Sequence, residues 1–530
     1  MVFFNKKKKD QSKSTTPSTI QEKEPNDKQT LKTNLHDNLQ YIKDTLGESS
    51  DIIIREICIG KGGKIKAGII YTDGLSDTAS LQNFILETLM LDIKETELEE
   101  NLTTTTNLMN TLKDFAMTVG EIKDVMNYDD LLTALISGDA IFLVDGNSKG
   151  FIIGNRKWAE RGVTEPTAQT VVRGPREGFS ENLRINTALI RRIIKDPNLW
   201  IESKVIGKRS KTNIAIMYIK DVADNSVIEE LRTRLDRIDI DGILESAYIE
   251  ELIQDSKYSP FPTVSNTERP DSTAAALLEG QIAILIDGTP FVLIVPTLFT
   301  QFFQSVEDYY QRNEMASLLR LLRFFAFGIS LLAPGLYLAI ITYHHEMLPA
   351  PLLISLAAQR ESVPFPAFVE VVIMEIAFEI LREAGLRMPR VIGAAMSIVG
   401  GFVVGTAAVE AGIISAAMVI VVSLTAISSF VAPSYDIAIA GRMLRFIFIV
   451  LAAMFGLYGM TIGLIALILH LCSLSSFGVP YMSPLAPFNS SAQKDVFIRL
   501  PRWKMTTRPS FFSKNKIKQR YEDPKSDNDK

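Results

Sequence analysis

The chain has 530 residues and a net charge of -5, with 22% of its side chains charged, but these averages blend a charged N-terminal half with an apolar C-terminal one. Its two cysteines, Cys58 and Cys472, exclude a disulfide framework or a zinc cluster and read as reduced, structural thiols. No His/Cys/Asp/Glu constellation has catalytic or metal-ligand spacing, so the composition argues against an enzyme, a cofactor or metal centre, and a nucleic-acid binder.

Residues 1–35 carry a basic cluster with no apolar stretch behind it, which excludes a secretory signal and predicts a disordered polar tail. Two α/β subdomains follow, 36–153 and 201–318, and they read as a duplication. IIYTDGLSD at 69–77 matches IMYIKDVAD at 216–224, and GDAIFLVDG at 138–146 matches GQIAILIDG at 280–288. Each copy combines a β-branched run, a helical pattern (near 81–93 and 226–238) and a strand ending in Asp-Gly. The Asp-Gly pairs predict tight hairpin turns, so IAILIDGTPFVLIVP (282–296) is expected to be a β-hairpin in spite of its membrane-like hydropathy. Gly60 to Lys64, GKGGK, lacks the phosphate-loop spacing and reads as a turn.

A basic, Gly/Pro-broken stretch, 154–200, is expected to link the copies. Its Arg173, Arg176, Arg191 and Arg192 form either an anion loop or a set of interface pairs with acidic neighbours.

Between Val391 and Gln493 only Glu410, Asp436, Arg442 and Arg445 are ionised, which places region 319–475 in lipid. Spans are expected near 322–343, 391–411, 413–432 and 443–471. A fifth apolar stretch, 364–384, carries Glu375, Glu379 and Glu383 every four residues and hence on one helical face. That stripe is costly against lipid, so it predicts a re-entrant or interfacial helix, or an acidic cation path. The tail, 476–530, is basic: from Ser491 onward eleven Lys/Arg face five Asp/Glu. The positive-inside rule therefore predicts a cytoplasmic tail and an even number of crossings. Gly393, Ser397, Gly401 and Gly405 recur four apart beside Gly400, with Glu410 beyond. This ridge of small residues suits helix packing within one bundle or around a pore.

Glu165-Pro166, VVRGPREGF (171–179), LIRR (189–192), IDGTP (286–290), PAP (349–351), AQR (358–360), VPFPAF (363–368), GVPY (478–481) and PLAP (484–487) occur in an order and spacing that resembles the A subunit of GerA-type spore germinant receptors. The resemblance runs from about residue 40 to 515. It implies a multi-pass protein of the inner spore membrane of an endospore-forming bacterium, with a transporter-like B subunit and a lipoprotein C subunit as partners. It further implies a homo-oligomer that conducts cations and starts germination. The expected fold is thus an α/β duplicated cytoplasmic domain followed by an all-α multi-pass transmembrane bundle. A secondary transporter and a non-conducting membrane scaffold are the competing classes, although no inverted repeat is evident among the spans.

Overall fold

The computed structural model describes residues 29–59, 65–83, 122–157, 165–166, 169–387, 403–489, 492–508, 511 and 513. The first subdomain comprises α1 (Leu35–Leu46), β1 (Ile52–Ile59), β2 (Ile65–Thr72), α2 (Thr78–Asn83), β3 (Ile122–Val125), α3 (Tyr128–Ile136), β4 (Ala140–Val144) and β5 (Gly150–Ile153). The second comprises α4 (Leu183–Ile193), β6 (Leu199–Ile206), β7 (Thr212–Ile219), α5 (Asn225–Asp236), α6 (Ser246–Ile253), β8 (Ser265–Thr267), α7 (Pro270–Glu279), β9 (Ile282–Ile286) and β10 (Val292–Val295).

The two sheets have the same strand order, β1-β2-β4-β5-β3 and β6-β7-β9-β10-β8. Equivalent registers reinforce the duplication: Tyr71 lies opposite Ile53, and Tyr218 opposite Trp200, one residue in from each strand end. Asp77 and Asp224 have the same local job, each accepting backbone N–H bonds at the start of the next helix. Gly146 and Gly288 adopt positive φ in the β4–β5 and β9–β10 turns, and every residue of β9 and β10 is buried. Residues 282–296 are therefore a hairpin inside a soluble core, which explains their apolarity without lipid. Gly60 to Lys64 and most of the 81–93 pattern lie outside the described residues.

The stretch expected as a linker does more than connect. Phe179, Leu189, Ile190 and Ile194 pack with Leu199, Ile201 and Leu285 in one core of the second subdomain, so α4 and α7 cover one face of that sheet. Helices α5 and α6 cover the other.

The C-terminal half is helical: α8 (Asn313–Tyr343), α9 (Ala350–Glu361), α10 (Ala367–Arg387), α11 (Ala416–Ser429) and α12 (Tyr435–Ser473). Helices α8 and α12 are long and apolar enough to cross a membrane, yet only 39% and 33% of their most apolar windows is buried. A helix in the core of a soluble protein would bury that surface; here Phe325, Ile420, Ile427, Met454, Ile465 and Leu469 face outward.

Two features differ from the expected spans. First, 443–471 is not one straight helix. Gly456 takes φ 60 and ψ -141 and breaks α12 into arms 435–455 and 457–473. The arms run antiparallel: Ile437 and Ala440 share a core with Leu471 and Leu474, which a straight helix would hold about 50 Å away. Second, the Glu-rich stretch is neither short nor peripheral. Helix α10 is continuous over 21 residues, about 31 Å, and packs with α8, α11 and α12. Its Glu370 end meets Ser415 at the start of α11, and its Arg382 reaches Ser429 at the end of α11.

The bundle stands on the second subdomain. Asp436 accepts a bond from Asn266 of β8 at the foot of the first α12 arm, and His470 contacts Ser259 at the foot of the second. Gly456 sits at the opposite end, where an added Cβ would lie 2.9 Å from His344 and 3.0 Å from Tyr343. The C-terminal segment returns to the domain: Arg508 donates to the Leu278 carbonyl and Ser513 bridges Ala223.

Candidate functional site

The chemistry of the bundle starts at Pro334 inside α8. Proline has no N–H, so the carbonyl four residues earlier, on Ser330, is left without its helical donor. Arg445 of α12 supplies one: its Nε donates to Ser330 O at 2.6 Å, and its Nη1 donates to Glu375 Oε2 of α10 at 2.6 Å. Both charged side chains are sealed from solvent, at 3% and 1% exposure. Three helices are thus tied by one guanidinium whose geometry serves a carbonyl and a carboxylate together.

One turn along, Glu379 Oε2 accepts from Arg442 Nη1 at 2.8 Å, and Arg382 lies 3.6 Å from its other oxygen. Arg382 Nη2 also donates to Ser429 Oγ at 2.8 Å, which brings in α11. A further carboxylate, Glu370, is buried and accepts from both the backbone N–H and the hydroxyl of Ser415, so it caps the α11 N-terminus, with Arg360 at 3.6 Å. Glu383, exposed, pairs with Arg387.

The stripe of Glu375, Glu379 and Glu383 therefore does not present free carboxylates to a cation within one protomer. Glu375 and Glu379 are consumed by arginines of α12, and a neutralised pair attracts cations far less than a bare acid. The sequence missed this because Arg442 and Arg445 lie some seventy positions away. The signal was present: in a segment with four ionised groups, two arginines three apart need acidic partners.

The remaining candidates do not converge on this ladder. Gly393, Ser397, Gly400 and Gly401 lie outside the described residues. Gly405 lies in a π-helical turn, Val403–Ala407, where an added Cβ would meet Val419 at an ordinary 3.8 Å. Glu410 is exposed at the end of a short turn, Ala408–Glu410. Among the arginines of 154–200, Arg191 is fully buried and grips Asp51 with two bonds, at 2.8 and 3.1 Å, joining the two subdomains. Arg192 pairs with Glu177, Arg176 lies 3.8 Å from Glu165, and Arg173 is exposed. They are spread over separate contacts instead of forming one anion loop.

The family model described as Bacillus/Clostridium GerA spore germination protein matches residues 40–511. The chain belongs to the GerA family. It is 49% identical over 483 residues to spore germination protein KA of Bacillus subtilis, covering 91% of this chain and 87% of that one. It is 43% identical over 512 residues to the uncharacterized membrane protein YfkQ of the same organism, covering 96% and 97%. The crystal structure of the N-terminal domain of the A subunit of the Bacillus megaterium spore germinant receptor GerK3 is 41% identical, covers 51% of this chain and 97% of that one, and gives a TM-score of 0.41.

In this GerA-family chain a second charged hub fastens the bundle to the domain. Buried Asp308 holds Arg323 at 2.8 Å and Arg320 at 3.2 Å, both near the start of α8. Asp495 of the returning segment accepts from Arg320 at 2.8 Å and from the Tyr309 hydroxyl at 2.6 Å. Burial first, then the Asp495 carboxylate, push the Tyr309 phenol up from its ordinary value, so it stays a donor. The hub makes the domain, α8 and the C-terminal segment one mechanical unit.

Proposed function

We propose that this chain is the membrane subunit of a nutrient-sensing spore germination receptor, acting with a transporter-like B subunit and a lipoprotein C subunit in the inner spore membrane. The observation that carries the reading is the GerA match across nearly the whole chain, joined to a helical half whose apolar surface points outward. Geometry and charge support one orientation. Helix α8 leads away from the domain, α10 and α11 return towards it, and the α12 arms go out and back. With the apolar stretch 391–411 read from sequence as a further crossing, the count is six, which keeps the domain and the basic tail together on the cytoplasmic side.

Germination requires a response across the membrane, and we read the assembled subunit as a homo-oligomeric, ligand-gated cation channel. Pairing of Glu375 and Glu379 with α12 favours a conduction path away from the α10 face, along the small-residue segment 393–405 between copies. Spores lacking this chain should lose the response to one nutrient class, and purified protein in planar bilayers should pass cations. A normal nutrient response in the deletion strain would remove the receptor reading. Silent bilayers with an intact receptor would favour the scaffold reading instead. Gly405 separates packing within a chain from packing between chains: Gly405→Ala fits the protomer, so loss of oligomers in that variant would report contact between copies.

A further inference from the structure

The second subdomain touches the foot of the last helical arm through the loop after α6. Asp255 accepts the Phe477 N–H at 2.8 Å, Ser259 Oγ meets His470 Nε2 at 2.9 Å, and Phe261 packs with Leu471 and Leu474. Both flanks of Tyr258 are therefore pinned to the end of the arm, yet the Tyr258 side chain is 99% exposed. Lys257 beside it is exposed as well. Along the arm, Ile465, Ile468 and Leu469 face outward and continue the apolar surface down to this level.

An aromatic ring held in water at the foot of an outward-facing apolar helix forgoes the burial of its apolar faces. In lipid the same position is favourable, because tyrosine prefers the membrane–water boundary and lysine reaches from it to phosphate. We infer that Lys257 and Tyr258 form an interfacial anchor of the soluble domain, the ring lying among headgroups and the ammonium pairing with anionic lipid phosphates. The anchor rests on the membrane reading above. It fixes the height of the domain, and hence the level at which Asp436 and His470 leave the bilayer.

The test uses full-length protein in vesicles of phosphatidylglycerol and phosphatidylethanolamine. In a background with Cys58→Ser and Cys472→Ser, nitroxide labels are attached through Tyr258→Cys, Ile465→Cys or Lys149→Cys, the last an exposed position of the first subdomain. Collision rates with oxygen and with a water-soluble nickel complex then report depth. The anchor predicts an oxygen-to-nickel ratio at 258 several-fold above that at 149 and below that at 465. A ratio at 258 equal to that at 149 would place the loop in open water and overturn it. A label at 258 reached by neither reagent would mean that protein covers it, which overturns the lipid assignment. If position 465 also reads as water, the membrane reading itself fails and the anchor fails with it.

Discussion

Arg445 donates to the one carbonyl, that of Ser330, which Pro334 strips of its helical partner, and the same guanidinium neutralises Glu375. Breaking such a buried pair leaves a bare charge, which costs about 3–5 kcal/mol, whereas removing both charges together is far milder. Arg445→Met alone should therefore sharply lower stability to unfolding in detergent. Adding Glu375→Leu should recover most of it, leaving about 1–3 kcal/mol for the orphaned Ser330 carbonyl. A double variant as unstable as the single one would show that Arg445 acts through something other than the pair.

Gly456 is the hinge of the α12 hairpin. Its φ of 60 and ψ of -141 are nearly reserved for glycine, at a cost of about 1–3 kcal/mol for other residues, and a Cβ would press on His344. Gly456→Val should lower the melting temperature in detergent by several degrees. Unchanged melting would mean that the two arms are one straight helix.

Glu250 of α6 gives a pH dependence. Burial, then the carboxylates of Asp436 and Glu245, push it up to about 7 from an ordinary 4.5. The folded state thus binds this proton more tightly than the unfolded one. Its contribution to stability is whole below about pH 4.5, falls as pH rises toward 7, and stays low above. Glu250→Gln should stabilise the protein at pH 8 and make less difference at pH 5. Identical pH–stability curves for the variant and the parent would rule out Glu250 as the titrating group.

Much of the fold could be read from the chain. The paired motifs ending at Gly146 and Gly288 exposed the duplication because strand periodicity and Asp-Gly turns are local signals. The two arms of α12 were hidden because glycines such as Gly456, Gly459 and Gly463 are common in apolar helices. Only length hinted at the fold-back, since 443–471 would make a helix of about 43 Å against a hydrocarbon core of about 30 Å. The acidic stripe was legible as a stripe. Its partners were not, because Arg442, Arg445 and Ser415 come from distant segments and only packing brings them together.

The returning C-terminal segment makes a topological prediction. Since Ser513 bridges Ala223 and Arg508 reaches Leu278, cysteines placed at 208 and 508 should label from the same side of sealed vesicles, and one at the exposed turn residue Met347 from the other. Labelling of 347 together with 208 would break the proposed six-crossing arrangement.

The proposal that the charge ladder is a packing device and that the conduction path lies elsewhere is tested most directly by the neutral pair Glu375→Leu/Arg445→Met in spores. The readout is cation release after nutrient addition, measured alongside the amount of the variant in the membrane. Packing predicts release at close to the parental rate for each copy present. A variant that accumulates normally in the membrane but releases no cations would show that the Glu375 carboxylate itself lies on the conduction path.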